Sequence, residues 1–174
     1  MRGIIATGDR VRLVRPRSID RDEFIAAVKR STTLHQQWVY PPTTNALWNA
    51  YIRRGRDDDA LAALVRLRDT NDIVGVINLN NIIRGGLQQS FVGYYALVPY
   101  SARGYLTDGL RLMIEHAFVE RGLHRLEANI QPGNEPSKAL ARRVGFSYEG
   151  FSPKYLQVGG VWRDHERWAL IHPS

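Results

Sequence analysis

The sequence predicts an α/β fold built on a mixed sheet, and three observations carry that expectation. Leu61–Arg68 and Ile73–Ile83 are rich in β-branched and aliphatic residues, with turn chemistry between them, as in an antiparallel meander. At Tyr105 the apolar period changes from that of a strand to that of a helix. From Phe91 onward the order reads strand, helix, strand, helix, strand. The total is about seven strands with about four helices.

The elements follow in order. Val11-Arg12-Leu13-Val14-Arg15 alternates apolar with charged residues and stops at Pro16, which suits a strand with one exposed face. Ser18 and Asp20 then offer N-caps to a helix that carries Phe24, Ile25 and Val28 on one side. Residues 31–44 place threonines and prolines around Trp38 and Tyr40, a loop of the kind that lines substrate sites. A short helix runs from about Asn45 to Gly55. In the meander, Asp69-Thr70-Asn71-Asp72 makes one turn and Arg84-Gly85-Gly86 the next. Phe91–Val98 follows, and its continuous apolar character predicts a strand buried on both faces.

Leu106, Leu110, Met113, Ile114, Ala117 and Phe118 fall at helical spacing, with Arg111 and Glu115 facing away and Gly122 as the stop. Arg125–Ile130 is the next strand, broken by Pro132-Gly133. A second helix opens at Asn134, with Pro136 in its first turn and Gly145 just past its end. Phe146 begins the last β section, a hairpin in which Val158-Gly159-Gly160 separates Lys154–Gln157 from Trp162–Ile171.

Length and composition bound the function. At 174 residues, 44% hydrophobic and 24% charged, the chain has the size and balance of one globular domain over 1–174. No apolar run approaches the roughly 20 residues that a membrane helix needs. The start, Met1 to Asp9, turns polar too soon for a signal peptide. With no cysteine there is no disulfide and no Cys-ligated zinc, so the cytoplasm is the expected compartment. The formal charge of +7 suits a polyanionic cofactor, an acidic peptide or nucleic acid as partner. The arginines are scattered and aromatics do not alternate with them, so charge alone assigns no nucleic-acid role.

The segment that carries chemistry is Ser101-Ala102-Arg103-Gly104-Tyr105-Leu106, at a strand-to-helix junction. A helix N-terminus presents unpaired amides at the positive end of a dipole and holds a pyrophosphate without a metal. Gly104 lets the backbone approach the phosphate, and Arg103 adds charge. The segment lacks the Gly-Lys-Ser/Thr ending of a Walker loop and the glycine spacing of a dinucleotide fingerprint.

With its surroundings, this segment resembles the GNAT superfamily of acetyltransferases, and within it the RimJ/RimL branch, which acetylates N-terminal amines of ribosomal proteins. The family's pyrophosphate motif, Gln/Arg-x-x-Gly-x-Gly/Ala, falls on Ser101 to Leu106, with Gly104 as the strict match. Asn81-Ile82-Ile83-Arg84-Gly85 resembles the branch's Asn-x-x-Arg-Gly strand end. Asn134-x-x-Ser137 with Gly145-Phe146 and Glu149-Gly150 resembles its later helix and strand. Tyr155-Leu156, Gly160, Trp162 and Asp164-His165 resemble its C-terminal hairpin. The likeness spans about Val11 to Leu170, and it implies a GNAT-like, mostly antiparallel central sheet.

The resemblance implies acetyl transfer from acetyl-CoA to a primary amine, by direct attack and without a metal. The acceptor would be the N-terminal amine of a protein, with ribosome association as a further expectation. A small amine, an antibiotic or polyamine, stays open, as does a non-catalytic CoA-sensing or RNA-binding module on the same fold. Monomer and homodimer are both open. The backbone of Tyr95, Ala96, Leu97 and Val98 would pair with pantetheine as an added strand. The amides of Arg103 to Leu106 would hold the pyrophosphate. Asn134 would reach the pantetheine arm, although an N-cap explains its type equally well.

Many members of the family place a Tyr acid five positions before the Phe of Gly-Phe, where this chain has Ala141. The RimL-like branch places a Ser nine positions before it, and here that is Ser137, which could either donate to the leaving sulfur or satisfy a helix turn. The branch's Glu base falls on Lys154, leaving Glu149, His165 or a water relay as base. Trp38, Tyr40, Arg84, Tyr155 and Trp162 are the acceptor-side candidates.

Overall fold

The computed structural model describes residues 3–173. Eight strands form one sheet: β1 Ile4–Thr7, β2 Val11–Val14, β3 Leu61–Leu67, β4 Ile73–Ile83, β5 Gln89–Ala96, β6 Arg125–Ile130, β7 Ser147–Val158 and β8 Val161–Ile171. Their spatial order is β1-β2-β3-β4-β5-β6-β8-β7, and every neighbouring pair is antiparallel except β5 with β6. The helices are α1 Arg21–Arg30, α2 Thr32–His35, α3 Asn45–Arg54, α4 Tyr105–Glu115 and α5 Glu135–Arg143. None of the described helices is long and apolar enough to cross a membrane.

The sheet thus has one strand more than expected, and the chain one helix more. β1 is only four residues of Ile-Ile-Ala-Thr, too short for an alternation to register. α2 is a single turn that starts on two threonines, which have weak helix propensity. It continues from α1 through the buried Ser31, whose hydroxyl donates back to the Ala27 carbonyl.

The strand alternation sends side chains to two separate cores. Val65, Ile77, Leu126 and Ala128 meet Leu110 and Met113 of α4 and Leu140 and Ala141 of α5. Leu64, Val76 and Leu97 meet Phe24 and Val28 of α1 and Trp48 and Ile52 of α3, with the Phe24 and Trp48 rings 4.5 Å apart. α3 starts where the Thr44 side chain accepts from the Leu47 amide. Asp20 does not cap α1 through its side chain. It accepts instead from the Arg17 amide and from the buried Arg66 on β3, which also binds Glu23. A buried guanidinium needs that pairing, so the carboxylate serves the sheet rather than the helix end.

α4 lies close on the sheet because Gly109 faces it. A Cβ there would come within 3.0 Å of both Val65 methyls and 3.2 Å of Ile77. The helix then widens, and His116–Glu120 forms a π turn whose Arg121 amide reaches back to the His116 carbonyl. Gly122 ends it at φ +62.

β5 departs from expectation in a way that sets up the site. It spans Gln89–Ala96, two residues earlier than predicted, and its second half is only partly buried. It pairs with β6 only at Gln89–Arg125, Ser90–Leu126 and Phe91–Glu127. Beyond those three positions the strands separate, and the apolar run expected to be buried on both faces becomes one wall of a cleft.

Candidate functional site

The cleft holds a cavity of about 780 Å³, within the range of small-molecule and cofactor sites. Gly93, Tyr94, Tyr95 and Ala96 form the β5 wall, and Ala128, Asn129 and Ile130 the β6 wall. The turn before α4 and the N-terminal half of α5 close one side. Residues of α2 and the loop after it close the other.

At the first end, Ser101, Ala102, Gly104 and Leu106 line the cavity. Ala102 at φ +61 and Gly104 at φ +82 are both left-handed, the kind of turn that can gather successive amides around an anion. The first intrahelical bond of α4 runs from the Asp108 amide to the Gly104 carbonyl, leaving the amides of Tyr105 to Thr107 at the free N-terminus. Arg10 adds a cation: a Cβ on Gly104 would sit 3.1 Å from its Nη2. Asp108 accepts from Arg10 Nε at 2.7 Å, and the same guanidinium lies over the Tyr105 ring. The arrangement fits an anion with several oxygens, such as a pyrophosphate.

α5 forms the facing wall. Its cap is Asn134, whose Oδ1 accepts from the Ser137 amide at 3.3 Å while the residue lines the cavity. Ser137 Oγ donates to the Tyr94 hydroxyl at 3.1 Å, and that hydroxyl donates to the Ser137 carbonyl at 3.0 Å. Burial pushes the Tyr94 phenol up to about 12, against the pull of the Ser137 hydrogen bond. Ala141, where the resemblance would place a Tyr acid, is sealed in the core at 0% exposure.

Lys138 fastens α5 to the sheet: its Nζ donates to the Pro132 carbonyl at 2.6 Å and to Glu166 on β8 at 3.2 Å. Lys138→Met keeps the apolar stem but leaves the Pro132 carbonyl without its side-chain donor and Glu135 and Glu166 without their counter-charge. Stability to urea is expected to fall by about 1–3 kcal/mol at unchanged m value.

The other end is bridged by the segment after α2. His35 Nε2 donates to the Ala96 carbonyl at 2.9 Å, and burial lowers the pKa of the ring. Further along, Gln131 Nε2, at the end of β6, donates to the Gln37 carbonyl at 3.1 Å. The Trp38 ring packs on Gly133 and the Tyr40 ring on Gly159. The segment therefore straps the mouth of the cleft from β5 to β6 and on to the β7–β8 turn.

Beneath this strap the walls are neutral amides, Asn78, Asn80, Asn129 and Gln131, with the Tyr51 hydroxyl donating to Asn78 Oδ1. Asn129 lines the cavity while its Oδ1 is buried without a hydrogen-bond partner among the described residues.

His165 lines the same end at 3% exposure. Its Nδ1 contacts the Arg163 carbonyl at 2.9 Å. A carbonyl only accepts, so Nδ1 carries the proton and Nε2 is left as the acceptor. Burial lowers the pKa of the ring, against the opposing effects of that hydrogen bond and of Asp164, so the neutral form dominates near neutrality. Glu149 is differently placed: its carboxylate is paired with Arg125, which lowers its pKa, and it lies outside the cavity. Lys154 is exposed at a β7 irregularity, its amide bound to Asp164.

Among the expected cofactor residues, Tyr95, Ala96, Ser101, Ala102, Gly104, Leu106 and Asn134 line the cavity, and Arg103 and Tyr105 flank it. Leu97 is fully buried in the α1–α3 core, its amide paired to Val74. By strand alternation the Ala96 carbonyl and Val98 amide then point toward the cleft. Both have partners in the chain, His35 and Ser31 respectively.

Of the acceptor candidates, Trp38 lines the cavity. Tyr155 stands beside the His165 ring, at 6.4 Å between centroids. Tyr40 and Trp162 are exposed on the surface. Arg84 donates to the Arg121 carbonyl and is not brought to the cleft. Sequence reasoning does not reach Arg10, His35, Asn129 or Tyr94. Tyr94 sits inside the expected β5 strand and is hidden there by its apolar neighbours, while the other three meet the site only through tertiary contacts.

Residues 10–147 match the family described as the acetyltransferase (GNAT) domain. The chain is 38% identical over 102 residues to the "Probable N-acetyltransferase YjcK" of Bacillus subtilis (strain 168), covering 59% of this chain and 56% of that protein. It is 34% identical over 106 residues to the ribosomal protein uS5-alanine N-acetyltransferase of Escherichia coli (strain K12), covering 61% and 55%. The chain thus spans about half the length of these curated relatives. It also superposes with TM-score 0.83 on Mycobacterium smegmatis RimJ in complex with CoA-disulfide, at 25% identity over 99% of this chain and 88% of that one.

Proposed function

The chain belongs to the GNAT acetyltransferase family, and from that membership we propose that it moves an acetyl group from acetyl-CoA to a primary amine by direct attack in a ternary complex, acting as a single domain. The observation that carries this reading is the separation of β5 from β6 beside a left-handed anion-binding turn. An extended arm with a pyrophosphate at one end needs a slot whose walls are strand edges and whose end is a ring of amides. The cleft offers both. Because the Ala96 carbonyl and Val98 amide already have partners, an arm lying along β5 has to displace those bonds or pair with the groups of Tyr94 nearer the cleft's centre.

The family co-substrate supplies an activated acetyl group, and the remaining work falls to side chains of this protein. His165 Nε2 takes the proton that the neutral amine sheds as it attacks. Ser137 and Tyr94 face the departing sulfur across the cleft.

The acceptor best suited to the strapped, uncharged end is the N-terminal amine of a protein. That choice is supported by the relative acting on ribosomal protein uS5 and by the +7 charge, which would draw the enzyme toward an RNA-rich target. The test is release of CoA thiol from acetyl-CoA with peptides bearing free N-termini, the same peptides N-blocked, and a set of small amines. Turnover with free but not blocked peptides is expected. Turnover with small amines alone replaces the acceptor, and tight acetyl-CoA binding without turnover on any amine removes the enzymatic reading.

A further inference from the structure

Two hydroxyls meet inside the cleft, Tyr94 from β5 and Ser137 from α5, and their hydrogen bonds have a fixed direction. A phenol has one proton, and that of Tyr94 is donated to the Ser137 carbonyl, an oxygen that can only accept. The 3.1 Å contact between the two hydroxyls therefore runs from Ser137 Oγ to the phenol oxygen. The single side-chain proton of Ser137 is thus committed to Tyr94. The Tyr94 proton is the freer of the two, because the Ser137 carbonyl lies within α5 and keeps the helix's own bond when the phenol turns away.

We infer that Tyr94 is the residue that gives its proton to the leaving sulfur, and that Ser137 is a positioning residue that aims the phenol and stabilises the phenolate left behind. This rests on the acetyl-transfer reading above. The position that carries the usual family Tyr is the core residue Ala141, so the phenol here reaches the cleft from the opposite wall.

The step balances. The amine lone pair forms the C–N bond, the C–S bond breaks with its electron pair on sulfur, and sulfur takes the phenol proton. The surplus amine proton passes to His165 Nε2 and on to solvent, and the phenolate recovers one proton from solvent. Burial disfavours a free phenolate, so the proton moves as the C–S bond breaks and not before.

The test needs no acceptor. Wild-type protein is titrated with CoA and with desulfo-CoA from mildly acidic to mildly alkaline pH. The preference for CoA is expected to grow with pH, because an ionised thiol accepts from Tyr94. Tyr94→Phe keeps the ring and its packing, and it is expected to abolish that growth, while Ser137→Ala keeps most of it.

In turnover, Tyr94→Phe is expected to lower kcat about 100-fold with KM for acetyl-CoA unchanged, and Ser137→Ala to lower it less. A Tyr94→Phe protein that keeps the full pH-dependent preference overturns the assignment, as does a Ser137→Ala protein that loses it. If Tyr94→Phe does not fold, Ser137→Ala decides alone by the same criterion. A wild type that binds neither ligand sinks the acetyl-transfer reading and this inference with it.

Discussion

Replacing His165 with Gln is expected to lower kcat/KM for amine acetylation by about 100- to 10,000-fold, the usual range for loss of a positioned general base. The substitution keeps a polar side chain of similar reach but removes the ring nitrogen that accepts the proton. Three features support the role: His165 is 3% exposed, it lines the cavity, and its Nδ1 proton is held by the Arg163 carbonyl. That hydrogen bond sets the tautomer, leaving Nε2 to accept.

The pH dependence has a definite sign. Burial lowers the folded-state pKa of His165 below the ordinary histidine value. The working form is the neutral ring, so activity is present above that lowered pKa and is lost as pH falls through it. A second limb belongs to the amine, which must itself be neutral. The wild-type profile of kcat/KM should therefore show two ionisations on its acidic side. His165→Gln removes the lower one and leaves the amine's in place. If the lower limb survives in the variant, the base is elsewhere. Glu149→Gln serves as the contrast, since its carboxylate is tied to Arg125 outside the cleft, and its kcat should be close to wild type.

The second large effect is expected at Gly104. Gly104→Val places a β-branched residue at φ +82, which costs about 1–3 kcal/mol in backbone strain. The added Cβ also meets Arg10 Nη2 at 3.1 Å. The turn escapes the strain by leaving the left-handed conformation, and the amides proposed to hold the pyrophosphate then turn apart. Acetyl-CoA affinity measured by calorimetry should weaken about 5- to 150-fold, the equivalent of that strain.

Gly122→Val is the matched control. Gly122 is also left-handed, at φ +62, and lies at the far end of the helix unit. A Cβ there would find open space, with no atom of the described residues within 4 Å. Both variants should lose thermal stability, but only Gly104→Val should lose acetyl-CoA affinity. Equal affinity losses would mean that the turn has no special part in binding.

Legibility of the site follows the range of the interactions involved. The Asn134 cap is readable because its side chain bonds an amide three residues on, and that pattern is written within the sequence itself. The Ser101–Leu106 turn is readable for the same reason, being a break between two local periods. Ser137 is found through a resemblance in spacing, but its partner is not, since Tyr94 lies 43 residues away and reads as part of an apolar strand. Glu149 and His165 are equal candidates along the chain. The β6–β8 and β7–β8 registers separate them, putting Glu149 against Arg125 and His165 under the strap.

By itself, the sequence determined the α/β class, the order of elements from β3 to β8 and the turn that joins β5 to α4. Each of these depends on side chains a few residues apart, where period, caps and turn residues act directly on the backbone. The tertiary structure alone decided where β5 leaves β6, which acid or base faces the opening, and that His35 and Ser31 occupy backbone groups of the β5 edge. Those outcomes depend on how far two parallel strands stay paired and on what a helix from elsewhere in the chain brings against them. No local pattern records that, because it is settled by the packing of both sheet faces at once.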